Sequence, residues 1–183
     1  MFFSVDLPPT SPSADLRTRL EGLTQRYQKQ LYQTSTRLFD SVQAASDYIQ
    51  KASHRDKRVL LLITDGKDTT SLATLKQLLV NCRRSETTIY AIGFDARRGK
   101  KTLDEITAAG GGSAFYPNQP EDLPGIALRI VQEIRAQYTL TYSPDAQNPD
   151  GTWRQIRVGI ANPAGLSVRC RTGYYASVPA EHE

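Results

Sequence analysis

The sequence predicts an α/β fold, a parallel sheet flanked by helices, extended at its C-terminal end by an antiparallel β meander. Three observations point there. Val59-Leu-Leu-Leu-Ile63 and the run from Thr87 to Phe94 are nearly continuous β-branched and aliphatic stretches, each too short for an ordinary helix. Such runs suit strands buried on both faces, as in a parallel sheet covered by helices. Amphipathic helical repeats lie between them, and strands that alternate with helices pair in parallel through right-handed crossovers. From Gln137 onward the apolar period becomes two, as in half-exposed antiparallel strands.

In chain order, Phe2 to Leu7 alternates loosely and stops at Pro8-Pro9, which predicts a short edge strand. Leu16, Leu20, Leu23 and Tyr27 recur at helical spacing and predict a helix over about 14–30. A second helix starts near Thr36, with Leu38, Val42, Ala45 and Ile49 on one face. After the Val59 strand, Leu72, Leu75, Leu78, Leu79 and Cys82 form a third helix, whose last residues Arg83-Arg84 suit the negative end of the helix dipole. The Thr87 strand is followed by a short helix over Leu103 to Ala109, stopped by Gly110-Gly-Gly112, and by a strand over Ser113 to Tyr116. Leu123, Ile126, Ala127, Ile130, Val131 and Ile134 give the last helix, with Asp122 as its cap and Pro124 in its first turn. The meander is expected at 137–142, 153–160 and 166–172, separated by turns at Pro144-Asp145, Asn148 to Gly151 and Asn162 to Gly165. Trp153, the single tryptophan, is placed to pack this meander on the α/β part. The division expected is therefore 1–136, an α/β domain, 137–176, a β extension packed on it, and 177–183, a disordered tail.

Composition excludes more than it assigns. A chain of 183 residues suits one domain with at most a small appendage, and its 23% charged residues are those of a soluble protein. A formal net charge of +4 does not by itself demand nucleic acid. The densest basic cluster, Arg97-Arg98-Gly-Lys100-Lys101, falls in an expected loop without interleaved aromatics and reads as solvated; a phosphate-binding patch is the alternative. Cys82 and Cys170 form no short-spaced pair, and burial as small hydrophobes is expected for both. His54 and His182 lie in polar stretches away from acidic clusters and do not read as metal ligands. No stretch has the length of a membrane span, and Met1 to Val5 is too short for a signal peptide.

The candidate chemistry lies at the end of the central run, in Thr64-Asp-Gly-Lys-Asp68. Open α/β sheets place ligands at the carboxyl ends of their strands, so Asp65 leaves the core at a functional position. The ordinary alternative is a tight Asp-Gly turn. No P-loop, no G-x-G-x-x-G and no Ser/His/Asp or Cys/His set can be assembled. What remains is oxygen-rich: Asp65, Asp68 and Thr36, donors of the kind that hard Mg²⁺ prefers, although Thr36 taken by itself reads first as a helix N-cap.

These residues carry a resemblance. Thr36 to Val42, Arg58 to Asp68, Ile89-Tyr-Ala-Ile-Gly93 and Leu103 to Pro117 resemble the von Willebrand factor type A domain, a Rossmann-like sheet flanked by helices. Gln137 to Pro144, Trp153 to Val158 and Arg171-Thr-Gly-Tyr-Tyr175 resemble a von Willebrand factor A-related branch abundant in Acidobacteria, which carries such a C-terminal extension. The resemblance implies a metal-ion-dependent adhesion site: Mg²⁺ held by an Asp-x-Ser-x-Ser motif, by a threonine matching Thr36 and by an aspartate matching Asp65. It further implies a non-catalytic module that binds a protein partner through the face near Asp65, and relatives that are exported. The Asp-x-Ser-x-Ser motif does not occur in this sequence, so the expectation is a member truncated before its first strand, with an incomplete site of Thr36 and Asp65 and weak or absent metal binding. The missing strand would leave an unpaired edge open to self-association. Two alternatives from other classes are a receiver-like or metal-dependent enzyme using Asp65, and weak nucleic-acid binding through Arg97 to Lys101.

Overall fold

The computed structural model describes residues 35–52, 57–144, 150–161, 164–165 and 168–176. The strand expected at 2–7, the helix at 14–30 and the tail at 177–183 lie outside them. In order, the elements are α1 (Leu38–Ala52), β1 (Arg58–Thr64), α2 (Leu75–Arg84), β2 (Thr87–Gly93), α3 (Lys100–Ala109), β3 (Ala114–Phe115), a 3₁₀ turn (Pro120–Asp122), α4 (Leu123–Arg135), β4 (Trp153–Gln155) and β5 (Gly173–Tyr175).

The first three strands form one parallel sheet in the order β1-β2-β3, as the alternation of strands and helices requires. β1 and β2 are in register from Arg58↔Thr87 to Thr64↔Gly93. Opposite pleats then give the sheet two faces. On one, Leu60, Leu62, Ile89 and Ala91 meet Leu38 and Val42 of α1, Leu78 and Cys82 of α2, and Leu103 and Ile106 of α3. On the other, Tyr90, Ile92 and Phe115 meet Ile130, Leu123, Ile126 and Ile134 of α4, with Val59 at the margin.

That second face corrects one expectation. β1 is not buried on both sides: Leu61 is 44% and Ile63 61% exposed. The helix on this face packs over β2 and β3 and reaches β1 only at Val59. Leu72 likewise lies outside α2, whose cap is Thr74, and is 83% exposed. Thr74 and Gln77 close a capping box, two reciprocal hydrogen bonds that fix where the helix begins.

The glycine run does what the sequence implied. Gly110 ends α3, Gly111 takes φ +75°, and a Cβ on Gly112 would stand 2.8 Å from the Ile89 carbonyl carbon. Only glycine lets β2 and the turn into β3 approach so closely.

The meander is smaller than its pattern. Among the described residues it is one antiparallel ladder, Trp153↔Tyr175 to Gln155↔Gly173, so 173–175 rather than 166–172 supplies the partner strand. Residues 137–142 form no strand, and Tyr138 and Leu140 are exposed. Cys170 is exposed and outside any strand, against its expected burial. Aromatic anchoring explains where pairing occurs: Arg83 stacks over Trp153 at 5.5 Å, Arg84 over Tyr175 at 4.8 Å, and the two rings meet edge to face at 4.9 Å. Gly173 leaves room for the indole, since a Cβ there would fall 2.5 Å from it. Through these contacts Trp153 and Tyr175 lie against the last residues of α2. Farther along, Arg169 binds both carboxylate oxygens of Glu133 on α4, at 3.0 and 3.1 Å, and also bonds the Ser113 hydroxyl.

Candidate partner-binding face at the carboxyl ends of the strands

β1 delivers Asp65 to the carboxyl rim of the sheet, where Gly66 turns the chain with φ +76°. The Asp65 side chain closes its own turn. Oδ1 accepts the Lys67 backbone N–H at 3.1 Å, and Oδ2 pairs with the Lys67 ammonium at 3.1 Å. Burial pushes the Asp65 carboxyl up, but the Lys67 N–H and ammonium together outweigh it and hold the group below its ordinary value.

The next residues staple this loop to the start of α1. The Thr36 backbone N–H donates to Thr69 Oγ1 at 2.6 Å, and the Thr36 carbonyl accepts the N–H groups of Thr69 at 2.9 Å and Thr70 at 3.2 Å. Asp68 Oδ1 accepts the Phe39 N–H at 3.2 Å and the Ser71 hydroxyl at 2.5 Å, while Ser71 Oγ accepts the Asp40 N–H at 3.2 Å. Asp40 returns the exchange, taking the N–H groups of Leu72 and Ala73, each at 3.0 Å. Those two amides, Ala73 first, hold the Asp40 carboxyl below its usual range.

Thr36 is therefore not the cap of α1, which begins at Leu38. Orphan N–H groups of a first helical turn need acceptors, and here Asp68 and Ser71 of the neighbouring loop supply them. Thr36 and Asp65 do share one rim, joined through the loop 65–71. Asp68 serves as a structural cap, a role its position three residues after Asp65 did not reveal.

A third loop completes the rim. Gly99 packs on Asp65 and Gly66, and a Cβ there would lie 2.5 Å from the Gly66 carbonyl carbon. This sets the backbone of the basic run, at Gly99, against the Asp65-Gly66 turn. Only part of that run is loop, because Lys100 and Lys101 are the first residues of α3. Tyr116, after β3, donates to Asp104 Oδ1 at 2.7 Å and to the Lys100 carbonyl at 3.0 Å; burial, then the Asp104 carboxylate, push its hydroxyl up. Sequence reasoning missed Lys67 and Gly99. Asp at i with a bonded N–H at i+2 is a local signal that could have flagged Lys67, whereas the Gly99 contact is tertiary.

Asp65 offers the rim's matching carboxylate, yet one of its oxygens bears an ammonium and the other a backbone N–H. Among the described residues no group of three or more His, Cys, Asp or Glu side chains could hold a metal. No helix among them is long and apolar enough to cross a membrane.

The family model of the von Willebrand factor type A domain matches residues 8–128, well over half of the chain. Among curated proteins none matches. Two solved structures are similar over part of their length. One is an uncharacterized membrane-spanning protein from Vibrio fischeri, with 18% identity and a TM-score of 0.38 over 49% of this chain and 52% of that one. The other is an uncharacterized protein from Alicyclobacillus acidocaldarius, with 24% identity and a TM-score of 0.36 over 43% of this chain and 34% of that one. The matched region thus spans about half of the first and about a third of the second.

Proposed function

The chain belongs to the von Willebrand factor type A domain family, and we propose that it acts as a non-catalytic protein-binding module whose contact face is the rim around Asp65, with an incomplete metal site. Family membership supports the interaction role. The observation that carries the rest is the pair between Asp65 and Lys67, which occupies the carboxylate that a cation would need. Thr36 and Asp65 alone would leave Mg²⁺ to keep most of its own water, which it gives up reluctantly. The hydrogen-bonded loops 65–73 would present a preordered surface, and preorganisation lowers the entropic cost of binding.

Isothermal titration with Mg²⁺ tests the metal part. The expected result is binding in the millimolar range or none, and strong, Asp65-dependent binding when a segment bearing Asp-x-Ser-x-Ser is joined upstream. Micromolar binding by the present chain, lost in Asp65→Ala, would mean a complete site. A photo-cross-linker at Thr69 tests the face. Partner adducts should form there and not from Lys51, at the far end of α1; adducts from Lys51 alone would move the interface elsewhere.

A further inference from the structure

We propose that Tyr138-Thr-Leu-Thr-Tyr142 is a strand that pairs with the same five residues of a second copy of this chain, antiparallel and centred on Leu140. The proposal does not depend on the use of the rim, and it involves no residue of β1.

The segment is held at both ends and bare between them. At its start, the Gln137 carbonyl accepts the Lys57 ammonium at 3.0 Å, and the Gln137 carboxamide donates to the Tyr90 hydroxyl at 3.4 Å. At its end, the Tyr142 ring meets Tyr174 of β5 edge to face, with centroids 6.2 Å apart. In between the apolar side chains face solvent: Tyr138 is 90%, Leu140 71% and Tyr142 54% exposed. Among the described residues no backbone hydrogen bond involves Tyr138 to Tyr142. The composition is nonetheless that of a strand, tyrosine and threonine with neither glycine nor proline. Unpaired N–H and C=O groups beside exposed apolar side chains are a template for another strand. The five residues carry no charge, so nothing repels a like segment.

The order of the side chains identifies the partner. Tyr-Thr-Leu-Thr-Tyr reads the same in both directions about Leu140. An antiparallel pair reverses one strand against the other, so two copies match position by position. Tyr138 faces the second copy's Tyr142, Leu140 faces the second copy's Leu140, and Thr139 faces the second copy's Thr141. Aromatic pairs and threonine pairs directly opposite each other are both favourable. Alternation puts the three apolar side chains on one face and the two threonines on the other. A shift of two residues would set a tyrosine opposite either Ala136, the cap of α4, or Pro144, which has no N–H to give. The register centred on Leu140 therefore pairs all five residues. It also puts a two-fold axis at Leu140, the self-complementary contact that closes a dimer.

The interface is short, so the dimer is weak and is measured at high protein concentration. The test is sedimentation velocity on the Ile63→Lys chain, in which association through β1 is suppressed. That chain is expected to show a monomer–dimer equilibrium. Leu140→Lys or Leu140→Glu, added to it, sets like charges against each other on the axis and should weaken the dimer about tenfold or more. An equimolar mixture of the two should recover it, because opposite charges then meet; a contact that does not set residue 140 against itself has no reason to behave so. Independently, Leu140→Cys in a Cys170→Ser chain should form a disulfide-linked dimer on mild oxidation, faster than Thr139→Cys does. Residues directly opposed in an antiparallel pair have Cα atoms about 4.5–5.5 Å apart, within disulfide reach. The proposal is overturned by a monomer at every concentration, by residue 140 variants that dimerise as their parent does, or by a mixture no tighter than its components. Cross-linking at Leu140→Cys no faster than at Thr139→Cys overturns it as well.

Discussion

The Asp68 carboxylate accepts the Phe39 backbone N–H across 3.2 Å, so a loop that follows β1 caps a helix that precedes it. Capping in trans ties the rim to the core, because Leu38, beside Phe39, is buried under the sheet. Asp68→Ala is expected to destabilise the fold by about 1–2 kcal/mol, the usual cost of losing a capping acceptor. Asp68→Asn keeps an acceptor oxygen and should recover most of it. Urea unfolding of the two variants measures the difference, and equal midpoints for wild type and Asp68→Ala would disprove the capping role.

Asp65 gives a prediction in pH. Its folded carboxyl is held below its ordinary value, so the unfolded chain binds more protons in acid. The stabilisation is therefore complete above the ordinary value of 3.8 and is lost as pH falls through the lower folded value. Lys67→Met removes the ammonium and leaves burial to act, so the Asp65 titration followed by carboxyl ¹³C resonance should move upward. Asp65→Ala should change stability by only about 1 kcal/mol near neutrality, the scale of losing a turn-forming side chain. An unmoved titration in Lys67→Met would show that the ion pair has no hold on Asp65.

Gly99 tests the contact that assembles the rim. Its φ is −92°, which any residue tolerates, so the objection to a side chain is purely one of space. An added methyl would meet Gly66 backbone at 2.5 Å, and backbone cannot rotate away as a side chain can. Gly99→Ala should cost on the order of 1–3 kcal/mol, as overpacking does. It should also shift the Gly66 and Lys67 amide resonances. Gly125→Ala, where nothing lies within 4 Å, is the matched control expected to cost little.

The legible parts of the sequence were those set by local pattern. The parallel pairing of β1 with β2 followed from two apolar runs separated by a helix, and Cys82 fell on the buried side of α2 by spacing alone. Period-two alternation was a weaker guide, because it marks extended backbone with two chemical faces and does not say which strand will pair. Pairing went to Trp153 and Tyr175, where two arginines of α2 stack on the rings; Leu140 and Val158 keep the pattern without the ladder. At the rim, Asp65 was found by its position after a strand. Its pairing with Lys67, the cap from Asp68 and the Gly99 contact depend on how loops fold back, and residue spacing does not encode that directly.

The two thiols should separate cleanly. Cys170 is exposed, whereas Cys82 is buried on α2, and burial pushes its thiol from 9.0 up to about 11. Reaction with a disulfide reagent at neutral pH should modify Cys170 fast and Cys82 only after unfolding, since the thiolate is the reactive form. In alkali the unfolded chain releases the Cys82 proton first, so this thiol's contribution to stability is lost as pH rises from 9.0 to about 11. Two equally fast thiols in a Cys82/Cys170 mapping experiment would contradict the burial of Cys82.

The last prediction concerns β1, which pairs on one side only among the described residues and shows Leu61 and Ile63 to solvent. A flat apolar edge strand is a template for another chain, and burying two such side chains is worth several kcal/mol at about 25 cal/mol per Å². The chain is therefore expected to self-associate with rising concentration and to melt with low cooperativity. Ile63→Lys places a charge where the side chain is 61% exposed and should cost the monomer little while weakening association. Light scattering after size exclusion, run across a concentration series for both chains, gives the answer: a wild-type species of monomer mass at every concentration, with a sharp reversible melt, would show that this face of β1 is not an association surface.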